Sequence, residues 1–412
     1  MSETLFREVE ASVIQRNADL QADASPFELL TVTAFEIFNR ERVAVGIVEA
    51  GMGGRDDATN IVGRKAVTVL ANIALDHQEF LGATADAIAR NKCGILRRGV
   101  PLVYDGTNAP DVLAAIADEA ARAGAGPLHA CSRMPLGGRR SRAFARFGRA
   151  LANRRAHRVN IAVAWKAALV LLEKLGVDAD PLKPALFEAV RTARWPGRYQ
   201  HVDLVNVVGA ARKAFVDGAH NEKAAESLGF FVEREFRGVD DGDSGKKRRF
   251  YVLPVTWVLA ASSTKDVRTI LRHLLKPGDR VIAVEFGPVD GMAFVKPMES
   301  EKLIEFANEA IKEQNGELKE AKSFGKNIED ALKYATNVAS NDAIVIAGSL
   351  YLVSDVFRLL RDANAREGAA PVADLWTGRT TEDDKVGQKK KILPSGRGPG
   401  RPKGSQNKTV KT

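Results

Sequence analysis

The sequence predicts an α/β protein built on two open, mainly parallel sheets. Short β-branched apolar runs (Val43–Val48, Ala66–Ile73, Val100–Tyr104, Ala343–Ala347) alternate with segments of helical periodicity. Several of these runs break directly into loops carrying Glu, Asp, His or Gly, and strand ends are where parallel α/β sheets place ligand chemistry. Beyond Ala363 the apolar periodicity stops, which marks the end of the globular part.

Residues 1–24 are polar and read as a helix followed by a loop. Ser25 and Pro26 are a cap and a first-turn proline for a helix over Phe27–Arg40, whose Phe27, Leu30, Ala34 and Phe38 recur at helical spacing. The run Val43–Val48 reads as a buried strand that opens into Glu49 and Gly51–Gly54. Ala66–Ile73 reads as a second strand, opening into Asp76-His77. A helix from Thr84 to about Leu96 carries Lys92 near its end. Strand Val100–Tyr104 and helix Asp111–Ala123 follow. From Gly124 to Arg155 the pattern degrades, and Gly137–Arg142 through Arg155 is basic and reads as a solvated loop. Helices resume over Arg158–Leu175 and Pro181–Ala193.

Trp195-Pro196-Gly197 reads as a turn, and the domain boundary is placed there: 1–195, then 196–365, then a tail over 366–412. The second unit is read as strands Val202–Val208, Lys213–Val216, Tyr251–Leu259, Arg280–Phe286 and Ala343–Ala347. Its helices are a segment ending near Phe236, then Asp266–Leu275, Ser300–Gln314, Asn327–Ala339 and Leu350–Asp362. Asp240–Lys247, rich in Gly, Asp and Lys, is expected to be a disordered insertion.

At 412 residues and 45% hydrophobic content the chain has room for two cores. No apolar run reaches the length of a membrane span, which argues against a membrane partner. Residues 1–13 lack a signal-peptide apolar core. Two cysteines, Cys93 and Cys131, make no disulfide framework and fit a reducing compartment. The net charge of +9 equals the nine Lys and Arg of residues 385–411, which contain no acid, so the globular part is near neutral and presents no basic nucleic-acid surface.

On spacing alone, a lone glutamate and a lone histidine at strand ends read as loop hydrogen-bonders. A carboxylate and a neutral imidazole are also acceptable ligands, so Glu49 and His77 are candidates to share one divalent cation. By the same local standard Lys92 is a surface helix lysine, Arg198 a linker ion-pair partner, and Asp217 and Asn221 are caps.

The order of the motifs adds to that reading. Phe27–Thr31, Glu49–Arg55, Asp57–Asn60, Leu75–His77 with Phe80–Gly82, Lys92–Ile95, Arg194–Arg198, Asp217–Asn221 and Gly348–Leu352 together resemble the dihydrofolate synthase / folylpolyglutamate synthase family, a branch of the Mur ligases. The resemblance covers roughly residues 25–362. It implies a central ATPase domain with a parallel sheet, then a smaller Rossmann-like domain. It implies ATP-dependent joining of L-glutamate to dihydropteroate through an acyl phosphate, with ATP and Mg²⁺ as cofactors. The folylpolyglutamate branch, extending tetrahydrofolate, is the alternative acceptor class. Phe27–Thr31, the Trp-Pro-Gly-Arg segment and Val289–Met292 look closer to the fungal dihydrofolate synthases.

By resemblance, Glu49 and His77 are Mg²⁺ ligands, and Lys92 matches a lysine that relatives carry as a carbamate, an anionic oxygen ligand. Asn160, Arg198 and Asp217 match ATP contacts, His220 and Ser349 face the incoming glutamate, and Asp57 faces the pterin. The family also implies a P-loop ahead of Phe27, and no G-x-x-x-x-G-K-[ST] occurs in these 412 residues, so the central domain is expected to be incomplete. Two explanations stay open: a gene reading that lacks upstream exons, favoured by the intact site motifs, or a remnant without ligase activity. The expected state is a monomer in the cytoplasm, with a mitochondrial location as the alternative. Gly396–Ser405 resembles an AT-hook, an extended Arg-Pro segment suited to an A·T-rich minor groove; a solvated basic tail is the plainer reading.

Overall fold

The fold was taken from a computed structural model, which describes residues 2–76, 78–132, 155–193, 195–238, 253–289, 292 and 294–366. His77, Arg194, the Asp240–Lys247 insertion, Asp290 and Gly291, most of the basic run after Gly137 and the AT-hook-like segment lie outside the described residues.

Helix α1 (Glu3–Leu20) and α2 (Pro26–Arg40) pack on each other through Val9, Val13 and Ile37. The start of α2 follows the expected chemistry. The Ser25 hydroxyl accepts from the Glu28 amide while Glu28 accepts from the Ser25 amide, a reciprocal capping box with Pro26 in the first turn.

The run Val43–Val48 is not a strand. No described strand pairs with it, and Ile47 is 91% exposed. A strand needs a neighbour for its amides and carbonyls; here the Val43 amide donates back to the Phe38 carbonyl at the end of α2.

The first sheet is parallel and three-stranded, in the order β1 (Thr68–Leu70), β2 (Leu102–Asp105), β3 (Leu128–Cys131). Between β1 and β2 run α3 (Gln78–Leu81), α4 (Ala85–Lys92) and a 3-10 turn over Cys93–Ile95; α5 (Pro110–Ala123) links β2 to β3. Leu70 and Leu102 face α4 and α5 in one core, and Val103 faces α6 (Arg155–Lys174) on the other side. Helix α7 (Lys183–Thr192) then leads to the linker.

The second sheet has six strands in the order β4 (Gln200–Asp203), β5 (Lys213–Val216), β9 (Ala343–Ala347), β6 (Val255–Leu259), β7 (Arg280–Ala283) and β8 (Glu320–Ser323). All neighbours are parallel except β4 and β5. The strands alternate cleanly. Phe215, Trp257, Leu259, Val281 and Val345 face α9 (Glu222–Glu235), α10 (Val267–Leu274) and α11 (Ser300–Lys312). Val216, Val258, Ile282, Ile344 and Ile346 face α12 (Ile328–Ala339) and α13 (Leu350–Arg366). Burial on both faces is what makes these strands read as continuous apolar runs.

The predicted strand Val202–Val208 divides in two. Asp203 accepts from the Val205 amide, the chain turns, and Val205–Val208 forms the short helix α8, closed by Gly209 at φ 73°.

A buried pair anchors the far end of the sheet. Arg237 (1% exposed) donates twice to Asp279 (0%) at 2.6 Å, and the same carboxylate accepts from the amides of Val255 and Lys276 and from the Trp257 indole. Among the described residues no helix is long and apolar enough to cross a membrane.

Candidate active site

The loop after the Glu49 stretch is pressed onto the end of α4, and glycines make this approach feasible. A Cβ on Gly54 would lie 2.6 Å from the Lys92 carbonyl oxygen, and one on Gly53 would lie 2.3 Å from Asn91 Oδ1. The Arg55 amide donates to the Asn91 carbonyl at 3.0 Å. Asn60 stitches the two segments: its Nδ2 donates to the carbonyls of Arg55 and Gly94, and its Oδ1 accepts from Lys65 and Arg97. Lys92, half-buried, thus sits on a segment fixed against the Glu49 loop, while the Glu49 carboxylate itself is exposed.

Asp57, predicted to face a pterin, works as a loop tie. It accepts from the Met52 amide at 2.9 Å and the Thr59 amide at 2.9 Å, capping the 3-10 turn Ala58–Ile61. Among the described residues no three His, Cys, Asp or Glu side chains gather as a metal site. Of the expected cation ligands, Glu49 is on a loop packed against the end of α4, Lys92 is the last residue of α4 and His77 is not described, so the described donors alone do not make up a coordination shell.

The second half of the site lies at the carboxyl ends of three neighbouring strands. Asp217 follows β5, Gly348-Ser349 follows β9, and Lys265 lies in the loop after β6. Asp217 is 3% exposed; it accepts from the Ala219 amide at 2.9 Å and the Tyr199 amide at 3.0 Å, which ties the linker to the loop. Gly218 donates to the Gly197 carbonyl, and a Cβ there would meet Leu350 at 2.2 Å and Arg198 Nη1 at 2.9 Å. Arg198, Asp217 and the start of α13 are therefore in one place. Ser349, also 3% exposed, caps that helix by accepting from the Tyr351 amide.

His220 Nδ1 donates to the Gly218 carbonyl at 2.9 Å, leaving Nε2 turned toward Asp76 at 3.8 Å. Burial holds its imidazole below the ordinary 6.5, against the opposing pull of the Gly218 carbonyl and the Asp76 carboxylate. Asn221 caps α9 through Oδ1 and donates from Nδ2 to Asp76 at 3.2 Å. Asp76 also pairs with Lys265. It belongs to the loop after β1, so the carboxyl ends of the two sheets meet at this carboxylate. Asn160 lies apart from these loops' hydrogen bonds, on the exposed side of α6.

In the sequence Asp76 stands out only as part of the Leu75–His77 motif, and no motif marks Lys265. The available signal was positional, since Lys265 stands in Ser262–Asp266, the polar loop after a fully buried strand.

The profile of the family described as "Dihydrofolate synthetase, C-terminal domain" matches residues 200–359. A probable dihydrofolate synthetase of Schizosaccharomyces pombe is 33% identical over 378 residues, covering 87% of this chain and 81% of the relative. The dihydrofolate synthetase of Saccharomyces cerevisiae is 29% identical over 342 residues, covering 81% of this chain and 75% of the relative. Among solved structures, Mycobacterium tuberculosis folylpolyglutamate synthase with ADP and AMPPCP superposes with a TM-score of 0.60 at 25% identity, covering 89% of this chain and 79% of that one. The E. coli FolC complex with ADP gives a TM-score of 0.61 at 23% identity, covering 90% and 78%. With the motifs, their order and the fold in agreement, the chain belongs to the dihydrofolate synthase / folylpolyglutamate synthase family.

Proposed function

We propose that the chain is an ATP-dependent ligase that joins L-glutamate to dihydropteroate. The observation that carries this reading is the meeting of the strand-end loops: Asp76 from one sheet stands against Asn221, His220 and Lys265 from the other. A two-substrate condensation needs the phosphoryl donor and the amine held together, and loops that meet from two sheets can hold them from opposite sides. The pteroate carboxylate takes the γ-phosphoryl group of ATP and releases ADP. The glutamate α-amine then attacks the acyl carbon, phosphate leaves, and the amine loses a proton.

Arg198, beside Gly218, is placed to steady phosphate charge. Asp217 fixes the linker and, by family resemblance, lies on the ribose side. His220, neutral at pH 7 because of its burial, is suited to accept the amine proton at Nε2. Ser349 is assigned to the glutamate side, Asp57 to the order of the loop on the pterin side, and Asn160 to the nucleotide. Mg²⁺ bound through Glu49, His77 and carbamylated Lys92 would neutralise phosphate charge. The two neighbours solved with nucleotide and the two fungal relatives named dihydrofolate synthetase support this assignment.

The domain division at Trp195 is part of the same reading: an ATP-binding unit over 1–195, then a glutamate-ligase unit over 196–365. A monomer in the cytoplasm, or alternatively in the mitochondrion, completes it.

The test is incorporation of labelled L-glutamate by the purified 412-residue chain with Mg-ATP. Incorporation with dihydropteroate is expected. Incorporation with tetrahydrofolate alone would move the chain to the polyglutamate branch, and none with either acceptor would overturn ligase activity for this chain.

A further inference from the structure

We propose that Asp76 is a positioning residue, holding Lys265 and Asn221 of the second sheet against the loop after β1; its role in catalysis rests on the ligase reading above. Asp76 and Asn221 are separated by 145 positions and Asp76 and Lys265 by 189, so this one carboxylate closes contacts that no local structure supplies. The Lys265 and Asp76 side chains are 20% and 23% exposed, so the pair is shielded from bulk water on most sides.

Each partner has a reason to need holding. Lys265 ends a flexible four-carbon stem, and its neighbour Asp266 is already committed to capping α10 through Thr269. Asn221 uses its Oδ1 for the α9 cap, which leaves Nδ2 free to set the angle of the loop. His220 Nε2 faces the same carboxylate at 3.8 Å. Asp76 is ringed by these donors and its negative charge repels a carboxylate substrate, so it acts through Lys265 and Asn221 and not on the substrate.

The contact can be tested from both sides. In Asp76→Asn the amide oxygen still accepts from Asn221 and the charge facing Lys265 is lost. Lys265→Met breaks the same pair without altering the residue next to His77. Each single variant is expected to lower kcat/KM for L-glutamate about tenfold, with KM for ATP nearly unchanged. The double variant should fall no further than either single, because both remove one interaction. The exchange Asp76→Lys with Lys265→Asp should recover part of the loss. Multiplying losses in the double variant would overturn the proposal.

A second measurement needs no turnover. Spin labels at Asp111→Cys on α5 and Glu305→Cys on α11, both exposed positions, report the distance between the sheets. Cys93 and Cys131 are buried, which limits their labelling. Asp76→Ala should broaden that distance distribution. An unchanged distribution would overturn the proposal even where wild-type ligase activity is present. A broadened one with no glutamate incorporation by the wild type would uphold the contact and remove the ligase reading.

Discussion

Gly94 and Arg55 meet with no space between them: a Cβ on Gly94 would stand 2.4 Å from the Arg55 α-carbon and 2.8 Å from its amide nitrogen. The obstacle is backbone, so the Glu49 loop and the end of α4 must separate to accept even one methyl group. Gly94→Ala should destabilise by about 1–3 kcal/mol and lower kcat by displacing Lys92. Gly63→Ala, where nothing lies within 4 Å, is the control and should change stability by less than about 0.5 kcal/mol. Thermal unfolding of the two variants decides the point; equal behaviour would refute the packing argument.

Lys92 tests the carbamate assignment. Lys92→Arg keeps a positive charge but cannot be carbamylated, and Lys92→Met keeps most of the stem. Both should lose about 10²-fold in kcat with unfolding little changed. An active Lys92→Arg enzyme would show that the cation, and not an oxygen ligand, is what the position requires.

Lys65 should be unusually reactive. Burial, with the charge of Arg97 beside it, pulls its ammonium from 10.5 down to about 8. Below that value the amine is charged and inert, and above it the amine is neutral and nucleophilic. Acetylation followed by mass spectrometry should show Lys65 modified ahead of the exposed lysines at pH 8. Its rate should level off above about pH 8 while theirs keeps rising toward 10.5. A Lys65 rate that climbs in parallel with the others would contradict the shift.

Asp279→Asn leaves Arg237 charged and unpaired in the interior. The expected loss is about 3–5 kcal/mol, read as a lower urea midpoint at unchanged slope. Arg237→Met with Asp279→Asn together should cost less than Asp279→Asn alone, since no charge is then stranded.

Elements whose causes are local were legible in the sequence. Ser25 and Pro26 mark the start of α2 and Asn221 the cap of α9, while Asp266 and Asn327, the expected first residues of α10 and α12, prove to be their caps. What failed depended on partners. Val43–Val48 has the composition of a strand, but pairing is a property of a neighbour, and no described strand adjoins it. β8 was missed for the opposite reason: Glu320–Ser323 carries no apolar signal and owes its conformation to pairing with β7. At Val202–Val208 the side chain of Asp203 ended the strand early. The candidate site motifs are legible in order along the sequence, whereas the pairing of Asp76 with Lys265 exists only once both sheets are built.

The Arg237–Asp279 pair also bears on how this protein tolerates length change. Arg237 and Val255 bracket the segment that contains Asp240–Lys247, and both are bound to the same carboxylate; the Leu253 amide donates to the Arg237 carbonyl as well. The two ends of that segment are thus clasped independently of what joins them. Closing a longer loop between clasped ends costs only about 0.6 kcal/mol per doubling of its length. This is therefore a position where a tag, a reporter domain or a shortened linker should be accepted with β6 still in register beside β7 and β9.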